Sequence, residues 1–137
     1  MLRNRSMPEE RLIPVLGYPD IDEAIAWLTA AFGFALRWQA GSHRAQLAVG
    51  GRAAVAIVHG DGPHSSPDHV MVRVENVDQH RSDAIEGGAK AGPVQEFPFG
   101  ERQYTAQDHT DRTWVFTQTV RDVDPVEWGA RTGPHSA

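Results

Sequence analysis

The sequence predicts an α+β domain: two βαβββ repeats forming an eight-stranded, curved, cup-like antiparallel or mixed sheet with helices on its convex side. Three observations predict it. An amphipathic helical pattern at residues 20–32 is followed by three short alternating runs. After a Gly/Pro/Ser-rich break at residues 60–67 the same order of patterns returns. Finally, Asp20-Ile21-Asp22 and Asn76-Val77-Asp78 each stand between a strand pattern and a helix pattern, offset by 56 residues. Two copies of a unit that cannot close its own sheet bury more apolar surface by pairing.

Residues 11–18, RLIPVLGY, read as a strand, with Pro14 marking an edge or a bulge. The helix at 20–32 carries Ile21, Ala24, Ile25, Leu28, Ala31 and Phe32 on one face, and Asp20 with Glu23 has the form of a capping box. FALRWQA, HRAQLAVG and RAAVAIVH complete the first repeat, punctuated by Gly41, Gly50 and Gly51. The second repeat starts with HVMVRVEN. A weaker helix at 77–89 follows, opened by Asp78 and ended by Gly87 and Gly88. VQEFPFG, ERQYTAQD and RTWVFTQTV are its remaining strands. The organisation is therefore a flexible N-terminus (1–10), one domain (11–120, repeats 11–59 and 68–120, linker 60–67) and a C-terminal tail (121–137).

A chain of 137 residues suits a single core. Its 13 basic and 18 acidic residues give a net charge of −5 without a block of like charges, which argues against nucleic acid and anionic membranes as partners. The absence of cysteine removes disulfides, thiolate catalysis and thiol-ligated zinc, and fits a reducing cytoplasm. MLRNRSMPEERL has no apolar stretch after its basic residues, and no run is long and apolar enough to span a membrane, so a soluble, unexported protein is expected.

Alternation assigns the strand faces. Ala45, Leu47, Val49, Val70, Val72, Val74, Tyr104, Ala106, Trp114 and Phe116 belong to the core. Their neighbours His69, Met71 and Arg73, Arg44, Gln46 and Ala48, Gln103, Thr105 and Gln107, and Thr113, Val115 and Thr117 face the cup. Such a polar side is either the wet face of a sheet or, if the sheet curves, a ligand site. His69, Arg73, Arg44 and Gln46 make a mildly basic lining suited to a carboxylate, phosphate or phenolate, unless the arginines pair with Glu75, Glu96 or Glu101. Trp38 packs in the core or stacks on a planar ligand, and Trp128 folds back or meets a partner subunit. His59, His64 and His69 are five apart, a spacing that matches neither a helix face nor a strand face. DHTDR, residues 108–112, reads as a tight turn whose charged residues order the backbone and meet water, with Asp108 accepting backbone N–H groups and His109 solvated at the tip.

Two βαβββ halves, the helix start YPDIDEAIAWLTAAFGF and the late strand entered through DHTDRTWVF together resemble the glyoxalase, bleomycin-resistance and extradiol-dioxygenase family, the vicinal oxygen chelate superfamily, over residues 11–120. Metal-using members take ligands from the first and last strands of each half. The resemblance places those ligands at Ile13, Ala56, His69 and Val115, of which only His69 has a lone pair to offer. The glutamate base of the glyoxalases would fall on Val115. The resemblance thus implies a metal-free small-molecule binding protein without a cofactor, similar to the bleomycin-resistance branch. Its homodimer would enclose an anionic or aromatic ligand near His69, Met71, Arg73, Arg44, Gln46, Gln103, Thr105, Gln107, Thr117 and Trp38. Two alternatives stand beside it. One is a glyoxalase-type lyase or isomerase, or a dioxygenase-like enzyme, metal-dependent or using His69 as base. The other is a dimeric structural or regulatory module whose cup is filled by its own side chains.

Overall fold

A computed structural model describes residues 2–62 and 67–134 of the chain. Asp20 is extended and its carboxylate accepts the Glu23 N–H at 3.0 Å, so the first helix, α1 (Ile21–Phe32), begins where the capping pattern puts it. It ends at Gly33, whose left-handed φ of 76° lets its N–H close the last turn. The chain runs β1 (Val15–Tyr18), α1, β2 (Ala35–Ala40), β3 (Arg44–Val49) and β4 (Ala53–His59). The second repeat has β5 (Val70–Arg73), α2 (Val77–Glu86), β6 (Lys90–Ala91), β7 (Gln95–Phe97), β8 (Glu101–Gln107) and β9 (Thr113–Thr119). A 3-10 turn, Pro125–Trp128, follows. The cap of α2 is Asn76, which accepts the Gln79 N–H at 3.0 Å, and not Asp78. Asn76 is the last extended residue, and Asp78 is already one residue inside the helix. No helix among the described residues is long and apolar enough to cross a membrane.

The strands form two sheets, ordered β1-β4-β3-β2 and β5-β9-β8-β6, with β7 also paired to β8. β1 runs parallel to β4, and β5 parallel to β9. The repeat is visible in the registers: Val15 lies opposite Ala56 as Met71 lies opposite Val115, and Val15 and Met71 are again 56 apart. The eight strands expected from the pattern lie in two sheets of four and five strands, with the two-residue β6 added. Periodicity fixes the face of each strand but not which edges meet. Here β1, with Pro14 just before it, and β5 both remain edges.

What joins the repeats is a shared aromatic core. Phe32 and Phe34, at the end of α1, meet Trp114 and Phe116 of β9 at ring separations of 4.8 to 5.6 Å, mostly edge-on. Trp114, Phe116, Tyr104 and Ala106 are fully or almost fully buried, as alternation requires. His80 of α2 packs tilted against Phe116, ring centroids 4.1 Å apart, and sits between Tyr104 Oη, 2.6 Å from its Nδ1, and the Phe32 carbonyl, 3.3 Å from its Nε2. A carbonyl only accepts, so Nε2 carries the proton and Nδ1 accepts from the tyrosine.

Burial holds the His80 pKa below the ordinary histidine value, against smaller raising effects from the Phe32 carbonyl and Asp83. As pH falls past that ordinary value the unfolded chain takes up the proton first, so stability is lost on the acid side and unaffected above it. Thermal unfolding should therefore show a melting temperature that drops between pH 7.5 and 5. His80→Gln should flatten the drop; an unchanged slope in that variant would contradict the assignment.

The DHTDR turn is a second joint. Asp111 has a φ of 65°, a left-handed conformation that glycine more often supplies. Asp108 Oδ1 accepts from Thr110 N–H, Thr110 Oγ1 and Arg112 N–H, while Oδ2 accepts from Tyr18 Oη at 2.7 Å and Trp114 Nε1 at 3.0 Å. The carboxylate is buried, so the expectation that this turn's charges meet water does not hold for Asp108. Nor is His109 a solvated tip. Its ring stacks between Tyr18 and Trp27, and its side chain is only 11% exposed. Both departures have one cause: Tyr18 and Trp27 of the first repeat reach over the turn and cover it. Arg112 seals the other side, its guanidinium over the Tyr18 ring and its Nη2 donating to the Gly17 carbonyl.

Candidate functional site

The second sheet supplies a small cup. β8 presents Gln103 and Thr105 on the face opposite the buried Tyr104 and Ala106, and β7 places Gln95 directly across from Gln103 and Phe97 across from Glu101. On the other side Thr105 pairs with Val115, and Val115 with Met71. His69, Met71, Pro93, Gln95, Phe97, Gln103, Thr105 and Val115 line a cavity of about 130 Å³. His69 immediately precedes β5. Its Nδ1 lies 2.9 Å from the Pro67 carbonyl, which again can only accept, so in the neutral ring Nε2 keeps a free lone pair.

One pair further along the same face the polar groups are already engaged. Thr117 is buried and donates to Glu101 at 2.7 Å, and Arg73 Nε donates to Thr119 at 3.3 Å. Arg73 opens instead, with Met71, onto a larger groove of about 1110 Å³ between the repeats, whose other wall is formed by Pro14, Phe34 and Val55. Gln107 lies at the far end of β8, opposite Thr113 and Lys90 and away from the cup.

The first sheet holds the remaining residues singled out from the sequence. A register shift between Leu36 and Trp38 turns Arg37 onto the concave face, where it donates to the side-chain oxygen of the buried Gln46. Arg37 also donates to the Arg5 carbonyl at 3.3 Å, and Trp38 Nε1 to the Ser6 carbonyl at 2.9 Å. The N-terminal segment therefore lies across the first sheet, roofing a cavity of about 580 Å³ beside Arg37, Ala48 and Ala54. Arg44, at the start of β3, is exposed. The structure thus unites His69, Met71, Gln103 and Thr105, sets Arg73 and Thr117 at their rim, and leaves Arg44, Gln46 and Trp38 on the other sheet.

Gln95 and Phe97 were not singled out from the sequence, although alternation in VQEFPFG would have placed them on one face. Phe97 is held by stacking on Phe99 at 5.2 Å, and Phe99 in turn by Trp128 at 5.4 Å, so Trp128 folds back onto the domain. His64 falls outside the described residues, and with it the evenly spaced histidine trio.

Paired βαβββ units, each with a helix behind a short curved sheet and an open concave face, define a class of small-molecule cup domains. The profile of the Glyoxalase/Bleomycin resistance protein/Dioxygenase superfamily matches residues 13–126, and the chain belongs to that superfamily. Among solved structures, TioX from Micromonospora sp. ML1 is 29% identical, with a TM-score of 0.68 over 84% of this chain and 100% of that one. A glyoxalase/bleomycin resistance protein from Streptomyces sp. CB03234 is 22% identical, with a TM-score of 0.66 over 77% of this chain and 97% of that one. The fosfomycin resistance protein FosX from Listeria monocytogenes is 16% identical, with a TM-score of 0.67 over 82% and 94%. The comparison with curated proteins found no match.

FosX has also been solved with Mn(II) and sulfate, which makes the fit of this chain's own residues to a divalent ion a direct question. They do not fit. Ala56 and Val115, on the last strand of each repeat, present only hydrocarbon to the concave face. Among the described residues no three His, Cys, Asp or Glu side chains gather as a ligand set. The amides and hydroxyl beside His69 supply no anionic oxygen to complete one.

Proposed function

We propose that this chain is a metal-free small-molecule binding protein whose ligand sits in the cup of the second sheet. The observation carrying this reading is the composition of that cup: one imidazole, two amides and a hydroxyl set among Met71, Pro93, Phe97 and Val115. A concavity with a few convergent polar groups on an apolar wall orients a ligand without chemistry of its own. A homodimer would enclose it. β1 and β5 are unpaired edges whose concave-facing side chains, Val15 and Met71, are 58% and 53% exposed.

The free Nε2 of His69 favours a second reading, an enzyme in which this nitrogen takes a proton from bound substrate. Calorimetric titration with zinc, nickel and manganese separates the metal-dependent form of that reading from the proposal. No stoichiometric heat is expected; sub-micromolar binding that disappears in His69→Ala would overturn the metal-free claim.

A further inference from the structure

The cup's lining specifies a ligand class, an inference that rests on the binding role proposed above. We infer that the ligand part held here is a neutral planar ring carrying a carboxamide or lactam edge. The shape argument comes from Phe97. Its ring is stacked at 16° on Phe99, with Trp128 packed behind, so it is a fixed flat wall and not a mobile side chain. A cavity of about 130 Å³ is close to the ~150 Å³ known to accept a benzene ring.

The polar argument comes from the groups beside Phe97 on the same sheet face. Gln95 and Gln103 are direct cross-strand neighbours, and each offers one acceptor and two donors. His69 Nε2 adds an acceptor in the neutral ring, and Thr105 a hydroxyl. A group that both donates an N–H and accepts at a carbonyl matches this set, whereas a carboxylate can only accept.

Charge points the same way. The lining holds no lysine, arginine, aspartate or glutamate side chain, and the Glu101 carboxylate shares the face beside Phe97. Arg73, the cation two residues beyond Met71, is turned to the large groove and bonded to Thr119. An anion in the cup would thus lose water without gaining a cation, a desolvation loss that a neutral amide avoids.

Benzamide and benzoate share ring and size and differ in charge and in the N–H donor, which makes them the probes. The full chain, labelled at its methionine methyl groups, would be titrated with each at pH 8, with Met71 as the reporter within the cup. Benzamide is expected to shift the Met71 methyl saturably in the millimolar range and to bind at least tenfold better than benzoate. Phe97→Ala and Gln103→Leu should each weaken it fivefold or more. Gln103→Glu, an exchange of near-equal shape, should turn the preference towards the cationic benzamidine. Benzoate binding as well as benzamide would overturn the ligand class and leave the binding role intact. If neither probe moved the Met71 methyl, both would fall.

Discussion

Replacing Asp108 by alanine is expected to lower the free energy of unfolding by about 4 kcal/mol, since it leaves buried donors facing a vacated site. Two of those donors belong to different repeats. Tyr18 Oη comes from β1 and Trp114 Nε1 from β9, and burial followed by the Asp108 charge already pushes the Tyr18 hydroxyl far above the ordinary tyrosine range. The tyrosine thus stays a neutral donor at any ordinary pH, and losing its acceptor is felt throughout the accessible range. Asp108→Asn sharpens the test. Its remaining oxygen can keep the Thr110 and Arg112 contacts, and the tyrosine hydroxyl can turn round to accept from the new NH₂. The indole cannot, because Trp only donates, so the variant should fall between wild type and alanine, at a loss of about 2 kcal/mol. Urea unfolding followed by tryptophan fluorescence and by far-ultraviolet circular dichroism measures both effects. An alanine variant within 1 kcal/mol of wild type would show that the turn does not clasp the repeats.

Gly87→Ala should cost about 3 kcal/mol, at the upper end for overpacking, although the residue is helical and unstrained. Its φ is −79°, so the cause is space alone: a Cβ there would stand 2.5 Å from the Cα and 2.9 Å from the Cβ of Ala31. The α1 and α2 backbones therefore touch at this crossing. Any side chain forces the helices apart and with them the Phe32 to His80 contact. Ala31→Gly in the same chain removes the 2.9 Å contact but not the closer one, so most of the loss should persist in the double variant. Full recovery there would mean that the backbones can separate freely.

The parts of this fold that were legible in the sequence are those that local chemistry decides. Alternation alone put Trp114, Phe116, Tyr104 and Ala106 inside and Gln103, Thr105 and Met71 on the open face, because a strand has only two sides. Asp20 announced its helix, and Asp108 its turn. What stayed hidden depends on which distant segments meet. Asp108 satisfies Tyr18 from 90 positions away, and no pattern near either residue signals it. The same holds for the buried setting of His109, for the N-terminal segment that takes up Trp38 and Arg37, and for the division of the sheet. Within the cup, four of the predicted residues converge as alternation implied. Arg44, Gln46 and Trp38 do not, because a shared face in one repeat places nothing in the other.

The cup of the second sheet is proposed to hold an organic ligand and no metal. Crystals of the purified protein soaked in manganese or zinc, with an anomalous difference map at the metal edge, test it most directly. No anomalous peak is expected at His69, whereas organic density is expected between Phe97 and Gln103. A peak about 2.1 Å from His69 Nε2, completed by two further protein ligands, would contradict it.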